Sequence, residues 1–180
     1  MDEFYMGMAL SEAEDAFVRG DFPVGCVITY QGAVVARGSR QGTASPVKCF
    51  NEVDHAEIRA LKNLEYINCD FDPAQSVLYT TMEPCLMCYG AVLLSGIKRV
   101  VYAYEDVMGG GTSCDLSLLP PLYSKSVVTV IPHVLRQESL DLFARFFMKK
   151  DNTYWQGSYL ERYTLEQYDF YMKAVRGGHS

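Results

Sequence analysis

Residues 84–88 read Pro-Cys-Leu-Met-Cys and residues 55–57 read His-Ala-Glu. Two sulfurs at i and i+3 on a first helical turn, Cys85 and Cys88, can face one ion. The partial positive charge of a helix N-terminus also favours their thiolate form. A catalytic zinc takes three protein ligands and keeps a fourth position for water. The histidines are His55, His133 and His179. His179 sits near the end of the chain, and His133 follows Pro132 at a strand-to-helix junction. Only His55 brings a carboxylate, Glu57, two residues on. A carboxylate beside a metal but not bound to it can carry protons from water to a ring nitrogen and then to a departing amino group. General acid–base work of that kind contributes typically ~10²–10⁴-fold.

The Cys-x-x-Cys pair alone also fits a redox pair or half of a structural four-cysteine site. A structural site needs a second close pair, and Cys26, Cys49, Cys69 and Cys114 are widely scattered. No partner pattern supports a redox pair. The acidic, mixed N-terminus shows no secretory signal, which argues against disulfides, and a chain of 180 residues does not need them. With no apolar run of roughly 18 residues either, the expectation is a cytoplasmic protein that does not engage a membrane. A formal net charge of −6 without an acidic tail weighs against a nucleic-acid partner, because phosphates are held by clustered Lys and Arg.

Several elements must position these residues. Apolar periodicity predicts a helix over 2–19, stopped by Gly20. Two β-rich runs, 23–30 and 33–40, flank Gln31-Gly32 and read as a hairpin. An aperiodic stretch, 41–53, is a loop broken by Gly42 and Pro46. A helix over 54–64 has Asp54 as its expected N-cap, and a second loop runs through Asp72-Pro73. Strand 76–82 leads into a helix with Pro84 at its first position and Gly96 as its stop. Strands at 99–105 and 126–132, a flexible 108–113 connection and a helix over 135–150 complete the order. Alternating strands and helices imply an α/β fold, a three-layer α/β/α sandwich around a mixed sheet. The two metal-bearing helices then start at strand ends, where open α/β sheets hold ligands. Residues 1–150 form the expected domain. Residues 151–180, rich in Tyr154, Trp155, Tyr159, Tyr163, Tyr168, Phe170 and Tyr171, form a C-terminal extension docked on it as a helix, or a lid or dimer element.

The combination His-x-Glu…Pro-Cys-x-x-Cys is a known signature of zinc deaminases. The chain resembles the cytidine and deoxycytidylate deaminase superfamily, and within it the bacterial tRNA-specific adenosine deaminases and the guanine and cytosine deaminases. The resemblance rests on 21–28 (DFPVGCVI), 55–61 (HAEIRAL), 78–92 (LYTTMEPCLMCYGAV) and 97–106 (IKRVVYAYED). It runs from about residue 4 to 119 and more weakly to about 150. It implies zinc held by His55, Cys85 and Cys88, Glu57 as proton shuttle, a five-stranded sheet, and a homodimer or larger oligomer with the site near a subunit interface.

The departures concern substrate. Where relatives carry an asparagine that hydrogen-bonds the base, this chain has Arg40, which can only donate. Asn51 is a candidate for the missing role, and Asp106, ending a strand near the mouth, is a further candidate contact. The 40–54 loop is longer than usual. The C-terminus is aromatic and roughly neutral where the tRNA enzymes end in a basic helix. These features favour a small nucleobase or nucleoside with an anionic or carbonyl-rich edge over tRNA. The alternatives are a tRNA-specific adenosine-to-inosine deaminase, a non-catalytic zinc-binding subunit of a heteromeric deaminase, and a zinc-stabilised interaction module.

Overall fold

The structure is a computed structural model that describes residues 1–44, 51–64 and 71–177. Cys49, Cys69, His179, Pro46 and the middle of the 41–53 loop lie outside the described residues. The elements run α1 (Asp2–Arg19), β1 (Gly25–Tyr30), β2 (Ala33–Ser39), α2 (Ala56–Asn63), β3 (Val77–Met82), α3 (Leu86–Ser95), β4 (Arg99–Tyr104), α4 (Pro121–Ser124), β5 (Thr129–Ile131), α5 (Arg136–Phe147) and α6 (Tyr159–Gly177). The one-turn helix α4 was not expected, and β5 is shorter than the 126–132 run. Among the described residues no helix is long and apolar enough to cross a membrane.

The five strands form one mixed sheet, ordered β2-β1-β3-β4-β5. β1 pairs antiparallel with both β2 and β3, whereas β3–β4 and β4–β5 are parallel. The β1–β2 hairpin turns at Gln31 and Gly32, with φ of 50° and 80°. Positive φ at both turn residues matches the right-handed twist of the flanking strands.

Alternation along the strands divides the core between the two faces of the sheet. Val27, Tyr79, Val101 and Ala103 bury against Tyr5, Met6 and Ala9 of α1. Cys26, Ile28, Leu78, Met82, Val100 and Tyr104 bury with Ala56, Ala60 and Val92 of α2 and α3. Two glycines set how closely the helices approach. A Cβ at Gly25 would lie 2.1 Å from the Ala9 carbonyl oxygen, and one at Gly38 would lie 2.2 Å from that of Ala56. Helix backbone therefore rests directly on strand backbone, and Gly38 fixes the height of the first turn of α2 above the sheet.

The C-terminal extension is pinned to the rest of the chain. The Tyr104 hydroxyl bonds Thr164 Oγ1 at 3.2 Å, and Tyr163 donates to Glu105 at 2.8 Å. Arg136 forks onto Glu105 and reaches Gln167 of α6 at 3.3 Å. Tyr154 packs on Phe22, ring centroids 5.4 Å apart, beside Phe146 and Phe147 of α5.

Candidate metal centre and adjoining cavity

His55 and Cys85 are the N-cap residues of α2 and α3. Each has extended backbone immediately before a helix; the cap of α2 falls one residue later than Asp54, the cap expected from sequence, and α3 begins at Leu86, two residues after Pro84, its expected first position. Pro84 lies just outside α3. The shift has a chemical consequence, because Glu57 and Cys88 now occupy the first turns, at the positive ends of two converging helices.

His55 Nδ1 lies 3.6 Å from Cys85 Sγ and 3.4 Å from Cys88 Sγ. A tetrahedral zinc with Zn–S of about 2.3 Å and Zn–N of about 2.0–2.1 Å requires N···S separations of about 3.6 Å. The three donor atoms lie within 4.8 Å of one another and form the group among the described residues that could hold a metal ion. Donor type, number and spacing all fit zinc with one position left for water.

Glu57 is almost wholly buried, 3 % exposed. Thr80 Oγ1 donates to its Oε1 at 3.0 Å, and its Oε2 lies 3.5 Å from Cys88 Sγ. Thr80 shares a sheet face with Leu78 and Met82, so strand alternation delivers its hydroxyl to α2. Burial pushes the Glu57 carboxyl up, while the His55 charge opposes that rise. The hydrogen bond from Cys88, with that from His55, takes the Cys85 thiol down to about 4. The same bond to Cys85, with burial, pushes the Cys88 thiol up.

A cavity of about 400 Å³ adjoins the cluster. That size falls within the ~300–1,000 Å³ of small-molecule sites. His55, Glu57 and Cys85 form its floor; Phe22, Val24 and Met82 form apolar wall. Tyr154, Trp155 and Leu160 of the C-terminal extension line it as well.

The candidate substrate contacts separate. Arg40 lines the cavity and is 2 % exposed. Its Nη2 donates to Glu52 at 3.1 Å and reaches the Tyr154 hydroxyl at 3.4 Å, and that hydroxyl donates to Glu52 at 2.9 Å. Asn51 is exposed, accepts from the Val53 amide at 3.2 Å, and is not among the lining residues. Asp106 does line the cavity, but its Oδ1 accepts from the Met108 and Gly109 amides at 3.0 and 2.8 Å, which folds the loop that follows. His133 lies away from the cluster, 3.4 Å from Glu105.

Among the acidic residues lining the cavity, Glu52 and Glu83 were not expected from the sequence. Glu83 accepts from Thr112 and from the Asp106 amide at 3.3 Å, tying the 106–112 loop to the start of α3. Its place directly before Pro84-Cys85 was the available signal. Glu52 had none, because its partners come from elsewhere in the chain.

A profile of the cytidine and deoxycytidylate deaminase zinc-binding region matches residues 1–104. The tRNA-specific adenosine deaminase of Bacillus subtilis is 30% identical over 146 residues, spanning 81% of this chain and 88% of that protein. A solved structure from work on A-to-I editing by tRNA:A34 deaminases at the wobble position matches with TM-score 0.64 and 29% identity, covering 77% of this chain and 98% of that one. The guanine deaminase of Nitrosomonas europaea matches with TM-score 0.62 at 22% identity, covering 80% of this chain and 83% of that one, a likeness of fold.

Proposed function

The chain belongs to the cytidine and deoxycytidylate deaminase family, a family of zinc-dependent hydrolytic enzymes acting on C–N bonds, and we propose that it deaminates a small amino-substituted nucleobase or nucleoside. The observation that carries this reading is the buried Glu57 carboxyl, 3.5 Å from Cys88 Sγ and facing the cavity. His55, Cys85 and Cys88 would hold the zinc. When bound, zinc lowers the pKa of a water in its open position toward ~7, so that hydroxide is available at neutral pH.

The remaining work falls to the chain. Glu57 takes a proton from the attacking water, passes it to the ring nitrogen beside the amino-bearing carbon, then takes a second proton from the hydroxyl now on that carbon and delivers it to the departing amino group. The products are the ring carbonyl and ammonia. Thr80 holds the carboxyl in place between transfers, and burial keeps its proton affinity high enough to carry the load. The apolar walls exclude bulk water.

A small substrate is supported by the lining role of Tyr154, Trp155 and Leu160 and by the net charge of −6. In this reading 1–150 is the deaminase domain and 151–180 supplies a wall or lid. Exposed Leu86, Leu94, Leu118 and Leu122 offer apolar surface for a homodimer, and the protein works in the cytoplasm. The second reading, adenosine-to-inosine editing of tRNA, is favoured by the likeness to the Bacillus subtilis enzyme. A non-catalytic subunit would not need Glu57.

Purified protein incubated with free bases and nucleosides, with ammonia release as readout, tests the proposal. Turnover of a small compound is the expected result. Inosine formed in tRNA with no small compound turned over would reverse the order of the two readings.

A further inference from the structure

Trp155 is the only tryptophan in the chain, and it lines the cavity with its backbone in the left-handed region, φ 56°. Bulky residues rarely adopt that conformation, because Cβ crowds the following carbonyl. Two residues on, Gly157 has φ 74°. Strained backbone of this kind persists only where the surroundings hold it, and it concentrates at ligand clamps and switches.

Trp155 is held between two fixed points. Tyr154 is the first. Its ring packs on Phe22, centroids 5.4 Å apart, and its hydroxyl meets Glu52 and Arg40. Gly157 is the second, tied to the first turn of α6: its amide donates to Glu161, and its carbonyl accepts from Arg162 at 2.9 Å. Between these points Trp155 and Gln156 are exposed. Trp155 meets Tyr154 edge-on, ring centroids 5.9 Å apart, and is 42 % exposed. A large apolar ring so exposed at a largely apolar cavity gains from a ligand that covers the remainder.

We infer that Trp155 is a gate residue of the cavity, carried on a two-state turn at 155–157. Left-handed backbone seats the indole on the cavity wall, and relaxation of Trp155 to the ordinary region swings it into solvent. A bound ring compound closes the gate by offering the indole a face to cover, and closure shuts water away from Glu57. This rests on the small-molecule reading above and adds to it the element that controls entry.

With a single tryptophan, acrylamide quenching of fluorescence reads the gate directly in the zinc-loaded protein. The probes are cytosine, guanine, adenine and their nucleosides, each also assayed for ammonia release. A compound that is turned over should reduce quenching by roughly 2- to 5-fold as the indole is covered. Gly157→Ala disfavours the left-handed turn, and its Cβ would meet nothing within 4 Å, so the change acts through the backbone alone. It should raise quenching in the ligand-free protein and lower kcat/KM by roughly 3- to 10-fold, mainly through KM, because the seated state is less populated. Gly32→Ala, at φ 80° with equally open surroundings in the β1–β2 turn, should change neither. The wild-type comparison needs no variant, so a misfolded Gly157→Ala leaves the test intact. Turnover without protection of Trp155 overturns the gate and keeps the small-molecule reading. Unchanged quenching in Gly157→Ala, or an equal effect of Gly32→Ala, overturns the two-state turn. Protection without turnover supports the gate and overturns the small-molecule deaminase reading, and neither protection nor turnover overturns both.

Discussion

Thr80, in the middle of β3, donates through Oγ1 to Glu57 Oε1 in the first turn of α2, across 3.0 Å. The bond joins the sheet to the carboxyl that has to move protons, and it orients that carboxyl toward the cysteines. Glu57→Gln keeps the shape and the Thr80 contact but cannot carry a proton. Turnover should fall by ~10²–10⁴-fold with zinc content and circular dichroism unchanged. Thr80→Val should cost about 10-fold in kcat with little change in KM, because it frees the carboxyl without touching the cavity wall. Activity surviving Glu57→Gln would remove it from the mechanism.

Metal content follows from the three donors. One zinc per chain is expected by elemental analysis, and Cys88→Ser should lose it. Chelation should abolish activity and leave most of the thermal transition, because the core clusters on both faces of the sheet form without metal ligands. Global unfolding on chelation would instead mark a zinc-stabilised interaction module.

The Gly38 contact predicts a change of geometry at a distance. In Gly38→Ala the new Cβ would meet Ala56 O at 2.2 Å and Ala60 N at 2.6 Å, both backbone atoms. The helix must lift, at about 2–4 kcal/mol, and His55 moves with it. Denaturant midpoint and zinc affinity should fall together. Gly7→Ala, where nothing lies within 4 Å of the added carbon, should stabilise α1 by about 0.5–1 kcal/mol and leave zinc affinity unchanged.

Stability should depend on acid through Glu105. Burial raises its carboxyl, but the hydrogen bonds from Arg136 and Tyr163 and the Arg136 charge outweigh burial and hold it below the ordinary glutamate value of 4.5. His133 also faces it, at 3.4 Å. A depressed folded value means that the contribution is complete above the unfolded value and is lost as pH falls through the folded one. Unfolding free energies from urea titration of wild type and Glu105→Gln should differ by about 1–3 kcal/mol near neutrality and converge in acid. The α6 contacts made by Arg136 and Tyr163 should loosen in the variant, seen as faster amide exchange there.

The candidate zinc donors and Glu57 were legible as two short motifs, whereas the meeting of His55 with Cys85, 30 residues away, belongs to the tertiary structure. His55 with Glu57, and Cys85 with Cys88, sit two and three residues apart at helix starts, so spacing alone fixes their relative directions. The sheet was legible for a similar reason, since the β-rich run 76–82 and the near-continuous apolar run 99–105 mark strands buried on both faces. The cap of α2 was misplaced by one residue and the start of α3 by two. Asp54 is the better capping side chain, yet it forms an ion pair with Arg59 at 3.0 Å while His55 takes the N-cap position. Asn51 was proposed from its side-chain chemistry and its neighbourhood in sequence. The chain turns it outward, where it bonds Val53.

By itself the sequence determined the chemistry, meaning which atoms can hold a zinc and which carboxyl can move a proton beside it. Tertiary structure alone decided what surrounds that chemistry. Glu52 and Tyr154 are 102 residues apart and meet at the cavity, and Arg40 is held against both. No local pattern encodes such a contact. It depends on how far α5 and Phe22 let the C-terminal segment settle against the sheet, and packing at that range is set by shape and burial rather than by spacing along the chain.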